Sequence, residues 1–294
     1  MPAVFEIPVF SAAAAKVAVD HGATRLEVNR TGSYAAGGLT PTRAEVEVVS
    51  SALGPTSTVP LRIMIRPRGP PSSDLGEPDF LYTDDEFREM RSDLEAFIAS
   101  GLLRATRGDG FVFGILARDE GNESHVRIDA DRNRQLVQAA EPYACVFHRA
   151  FDLVLGSDAT NHTAEEGLAA LRDCGFAGVL TAGGPGRGGA VDHADTLQAL
   201  VAAERDVAGA AQARPHASIE IVVGGGVRSQ NVSTLEKAIL GTKKEEGRHT
   251  SVVSFHSSCL EDAAAATAKG AEAETVSGEE VHRIHTALVS VEGL

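Results

Sequence analysis

Eight short β-like runs, each followed by a stretch with helical character, constrain this chain more than any other feature. The runs are VFEIPV (4–9), RLEVN (25–29), LRIMIR (61–66), GFVFGIL (110–116), ACVFH (144–148), GVLT (178–181), IEIVVG (219–224) and VVSFH (252–256). The intervening segments carry helix punctuation. Ser11 is the expected N-cap of the first helix and Gly22 its stop. Thr40 is the expected cap of the second, with Pro41 at its first helical position. Thr83 with Glu86, Thr163 with Glu166, and Ser277 with Glu280 have capping-box spacing, and Pro142 stops the fourth helix. Eight β/α units in 294 residues predict an α/β fold, a (β/α)8 barrel, as a single domain over 1–294. A doubly wound open sheet is the rival. No G-x-G-x-x-G follows the first run and no break in composition divides the chain, which argues against it. Longer loops are expected at 69–80, 183–189 and 241–250, and a low-complexity segment at about 261–276 precedes the last helix.

Composition excludes several classes of function. The formal charge is −14, and there is no basic run, so a nucleic-acid partner is not expected. No apolar run reaches the roughly 20 residues that cross a bilayer, so no membrane partner is expected. The N-terminus lacks the basic and apolar regions of a signal peptide. Cys145, Cys174 and Cys259 are far apart and odd in number, which fits a reducing compartment and a cytoplasmic protein.

Alternation then sorts side chains. If the apolar members of each run face the helices, Glu6, Pro8, Arg25, Glu27, Asn29, Arg62, Met64, Arg66, Val146, His148, Ser254 and His256 point inward. Glu6 and Arg62 in the lower layer suit an internal ion-pair network. Glu27, Arg66, His148 and His256 lie at strand C-termini, the rim where barrels carry their sites. Gly225 and Gly226, in a turn expected to open a helix, and Ser257 after the eighth run suit an anion there. Arg149 and Asp152 complete the candidate ligand-binding set; Asp152 is placed either to orient His148 or to clamp Arg149. Cys145 and Cys174 read as small core residues.

The segments ATRLEVN with GGLTPT, IMIRPRG, DGFVFGIL, VFHRAFD, VLTAGG, GGGV and FHSS resemble, in order and spacing, the motifs of the CutC copper homeostasis family. The resemblance implies a cytosolic (β/α)8 barrel, often a homo-oligomer, linked to copper tolerance and copper(I) binding. Members often carry cysteine where this chain has Asn29, Pro8 and Ser257. Asn is a poor copper(I) ligand, because that ion prefers thiolate or thioether. His256 with Cys259, three residues on, is the remaining candidate metal pair.

Two functions compete, beside a non-catalytic binding or assembly role whose mark would be an exposed apolar patch. One is copper handling, with copper(I) as the ion bound. The other is an enzyme acting on a small anionic or phosphorylated metabolite, with Glu27 and His148 as candidate acid–base groups and Arg66 and Arg149 on the anion. No lysine sits at a strand end, which argues against a Schiff-base aldolase. The rim shows no cluster of His and carboxylates with clear divalent-metal spacing, which argues against a two-metal hydrolase.

Overall fold

A computed structural model describes residues 3–71, 78–119, 122–155, 161–185, 189–210, 218–241, 252–261 and 274–290. Eight parallel strands close into a barrel: β1 (Val4–Val9), β2 (Arg25–Val28), β3 (Leu61–Met64), β4 (Gly110–Phe113), β7 (Ala144–Phe147), β8 (Gly178–Thr181), β9 (Glu220–Val223) and β10 (Val253–His256). Each pairs with its neighbours in chain order, and β10 closes on β1 through Val4–Ser254, Phe5–Phe255 and Glu6–His256. The expected (β/α)8 barrel is therefore the fold.

The outer faces of the strands and the inner faces of the helices share one core. Phe5, Ile7, Leu26, Ile63, Phe111, Cys145, Phe147 and Phe255 are buried there, as period-2 alternation requires. The helices are α1 (Ala12–Asp20), α2 (Arg43–Leu53), α3 (Asp84–Ala99), α4 (Ala130–Ala140), the short α5 (Phe151–Leu155), α6 (Asn161–Cys174), α7 (Ala194–Ala210), α8 (Val232–Leu240) and a C-terminal helix, Gly278–Ser290.

Local signals place most helix starts. The Ser11 hydroxyl accepts from the Ala14 N–H, and Thr83 forms its full capping box with Glu86. The α2 cap is Thr42, boxed with Glu45, rather than Thr40. The Thr40 hydroxyl instead accepts from the Arg66 N–H and ties two rim loops together. α6 begins at Asn161, two residues before the expected Thr163 box. The Ser277 hydroxyl accepts from the Glu280 N–H, but the Glu280 carboxylate reaches across to Ser229.

The run 110–116 is not one strand. The barrel strand ends at Phe113, and the chain turns outward into an antiparallel hairpin, β5 (Leu116–Asp119) with β6 (Asn122–Ile128). Gly114 marks the exit. A Cβ there would lie 2.8 Å from His148 Nδ1, so only glycine leaves room for that ring. Residues 262–273 of the low-complexity segment, and 242–250, 186–188 and 72–77 of the three long loops, lie outside the described residues.

Candidate functional site

The barrel interior is divided. On one arc, from β3 through β4, β7 and β8 to β9, Met64, Val112, Val146, Leu180 and Val222 form an apolar cluster. On the other arc, β10, β1 and β2 contribute His256, Glu6 and Glu27, and a charged floor lies below.

That floor is the expected ion-pair network with more members than alternation alone named. The Arg25 guanidinium donates to Glu6, to Glu220 at 2.9 and 3.1 Å, and to Ser254 at 3.2 Å. Arg62 approaches Glu220 at 3.9 Å, and its Nε and one Nη have no partner among the described residues. Burial would raise the Glu6 carboxyl, but Arg25 and the His256 hydrogen bond hold it well below the usual carboxylate range.

Above this layer, at the strand C-termini, opens a cavity of about 650 Å³. Its walls include Glu27, Met64, Arg66, Phe80, His148, Arg149, Asp152, Gly225, Gly226, Arg228, His256 and Ser257. Every residue proposed from sequence for the ligand site therefore lies on one concavity. Their contacts distinguish them. Arg66 is committed to the protein. It donates to the carbonyls of Ala36 and Gly38 and to both oxygens of Asp79, at 3.1 and 2.8 Å, and it stacks 4.9 Å from the Phe80 ring centroid. It holds two rim loops together, and its charge is already matched.

His148 lies against Phe80, with ring centroids 4.7 Å apart. Burial, reinforced by the Arg66 charge, pushes its pKa down to about 3, so the ring is neutral near neutral pH. Its Nδ1 accepts from the Ala150 N–H at 3.4 Å, which assigns the proton to Nε2, and Nε2 is buried without a protein partner. In this state His148 offers a hydrogen-bond donor from a neutral ring.

Asp152 is a clamp. Its Oδ1 accepts from Thr181 Oγ1 at 2.6 Å and from the Ala182 N–H at 2.9 Å, and its Oδ2 accepts from Arg149 Nε at 2.8 Å. It orients Arg149, not His148. The terminal nitrogens of Arg149 have no hydrogen-bond partner among the described residues, and the guanidinium lies beside Gly225. Gly225 and Gly226 have φ of +88° and +77°. They do not open a helix directly, since α8 starts at Val232. Arg228 donates to Ser257 and Ser258 at 3.1 Å and ties the β9 and β10 loops together.

The His256–Cys259 pair does not form a metal centre. His256 Nδ1 turns into the barrel to meet Glu6 Oε1 at 2.9 Å, whereas Cys259 packs in the outer apolar core with its Sγ 3.4 Å from Ser257 Oγ. Burial raises the Cys259 thiol to about 11 and the Cys145 thiol to about 12. Asn29 donates to Glu27 Oε1 at 3.0 Å, and it is buried. Among the described residues, no thiol lines the cavity, and its one soft donor is the Met64 thioether. That donor set does not fit copper(I).

Sequence reasoning missed Asp79, Phe80, Thr181 and Glu220. Thr181 and Glu220 sit on barrel strands that were identified, but each makes its contact through a distant partner. Asp79 and Phe80 close a long loop that carries no periodicity.

A closed parallel barrel with a polar concavity at its strand C-termini is the arrangement in which (β/α)8 proteins hold small ligands. The CutC family model matches residues 3–250, and the chain belongs to the CutC family. It is 30% identical over 259 residues to the "Copper homeostasis protein cutC homolog" of Drosophila melanogaster, covering 88% of this chain and 78% of the relative. It is also 30% identical over 258 residues to the family protein CutC of Porphyromonas gingivalis, covering 87% and 81%. Among solved structures, the putative copper homeostasis protein CutC of Streptococcus agalactiae has a TM-score of 0.62 at 22% identity, covering 86% of this chain and 98% of that one. That similarity supports the fold. No helix among the described residues is long and apolar enough to cross a membrane.

Proposed function

We propose that this CutC family member uses its rim pocket to bind a small anionic molecule, such as a phosphorylated or carboxylated metabolite, in the cytoplasm. Copper homeostasis enters through the names of its relatives. The observation that carries the reading is the supply of unspent donors on one wall: the Arg149 terminal nitrogens and the His148 Nε2–H. Arg149 supplies the positive charge for the anion. The Gly225–Gly226 turn lets a ligand approach the backbone closely, because neither residue carries a side chain. His148 donates from a neutral ring to an uncharged or developing oxygen of the same ligand. Such a donor polarises a carbonyl without moving a proton.

Calorimetric titration with inorganic phosphate tests the reading. Wild type binds, and Arg149→Ala weakens binding at least about tenfold. Fold stability changes by about 1 kcal/mol or less, because Arg149 is half exposed and the buried Asp152 keeps its hydrogen bonds from Thr181 and Ala182. The reading fails if phosphate does not bind while anaerobic copper(I) titration shows tight stoichiometric uptake that is lost in Cys259→Ser.

A further inference from the structure

The charged arc of the barrel holds a feature that the anion reading does not use. One oxygen of Glu6, one oxygen of Glu27 and one ring nitrogen of His256 all lie within 4.8 Å of one another. Among the described residues they are the one such group of three. They come from three adjacent strands, β2, β1 and β10, in direct register: Glu6 pairs with His256, and Glu27 pairs with Pro8, two residues beyond Glu6. We propose that these three side chains form a site for a divalent cation of borderline hardness, such as Mn²⁺ or Zn²⁺, at the foot of the rim pocket.

Three independent observations support this. Glu27 is 4% exposed, and its Oε2 is buried with no hydrogen-bond partner. A buried carboxylate oxygen without a partner is costly, and a cation above it removes that cost. The second is charge. The interior carries the carboxyl groups of Glu6, Glu27 and Glu220 against the guanidiniums of Arg25 and Arg62, a formal excess of one negative charge when all are ionised and His256 is neutral, the state that binds a cation. The third is geometry. Donors bound at about 2.0–2.2 Å to one ion stand at most roughly 4.4 Å apart, so a small adjustment of three side chains closes the group on an ion.

The donor types select the ion. Two carboxylates and an imidazole suit a divalent metal of the Mn²⁺ to Zn²⁺ range and disfavour copper(I). Glu27 and His256 line the cavity, so such an ion keeps open positions facing it, as catalytic metal sites do. A cation there would meet the anion held by Arg149 from the opposite side of the pocket. The inference deepens the anion reading but does not depend on it.

The test uses the purified full chain, stripped with a chelator and titrated with Mn²⁺ in phosphate-free buffer, with free Mn²⁺ followed by electron paramagnetic resonance. We expect one equivalent bound. Glu27→Gln and His256→Gln should each weaken binding at least about tenfold. Near-UV circular dichroism of the metal-free variants shows whether each has folded, and a variant that unfolds is replaced by Glu27→Met or His256→Met. Absence of binding by either Mn²⁺ or Zn²⁺ to wild type overturns the proposal. So does binding that survives in both folded variants, which would place the ion elsewhere on an acidic surface. Phosphate titration of the metal-free chain is scored separately, so either reading can fail alone.

Discussion

His148 is held by its surroundings in a single protonation state. Phe80 and Phe147 flank its ring at 4.7 and 5.8 Å, and Arg66, itself paired with Asp79, adds its charge nearby. Its pKa of about 3 in the folded state lies below the ordinary value of 6.5. The unfolded chain therefore takes up the proton first. Stability from this residue is complete above pH 6.5 and declines as the pH falls from there toward 3. Urea denaturation of wild type and His148→Phe between pH 7 and 4 checks this. Wild type should lose more stability than the variant over that range, by as much as about 1.4 kcal/mol per pH unit. Equal slopes would show that His148 titrates normally. Histidine at the end of the run 144–148 was legible as an inward-facing site residue. Its lowered pKa was not, because burial and the Arg66 charge come from elements far away in the chain.

At the scale of elements, the barrel strands pack where backbones come closest. Gly110 opens β4 against β7, and a Cβ on it would stand 2.1 Å from the Ala144 carbonyl oxygen. The clash is with backbone, which cannot swing aside. Gly110→Ala should cost about 3 kcal/mol or more. Gly32→Ala is the comparison: its φ is +79°, but nothing lies within 4 Å, so its cost should be about 1 kcal/mol. Denaturant midpoints of the two variants give the answer, and equal losses would refute the packing argument. Element types were readable from sequence because each strand and helix signals through its own residues. The hairpin β5–β6 was not. The apolar residues Ile115 and Leu116 continue the strand pattern, and the need for glycine at the exit comes from the His148 ring just beyond β7, distant in the chain.

For the whole molecule, barrel closure brings the two ends of the chain into one polar network. Arg25 on β2 joins Glu6 on β1 to Glu220 on β9 and Ser254 on β10. Replacing it by Leu leaves the buried Glu6 and the partly buried Glu220 without their closest guanidinium, so Arg25→Leu should destabilise the entire barrel by about 3–5 kcal/mol. A single shifted unfolding transition, the same by far-UV circular dichroism and by thiol accessibility of the buried cysteines, is the expected result. Loss of one local segment alone would contradict it. The sequence by itself determined the eight-unit barrel, the outward apolar and inward polar faces of its strands, the family and the residues of the rim. Those follow from periodicity, caps and motif order, which neighbouring residues specify. The tertiary structure decided which of those residues meet. It commits Arg66 to Asp79 and Asp152 to Arg149, it buries Cys259 away from the pocket, and it gathers Glu6, Glu27 and His256 from opposite ends of the chain. Such pairings depend on distance and burial across the closed barrel, and those quantities exist only once its first and last strands have joined.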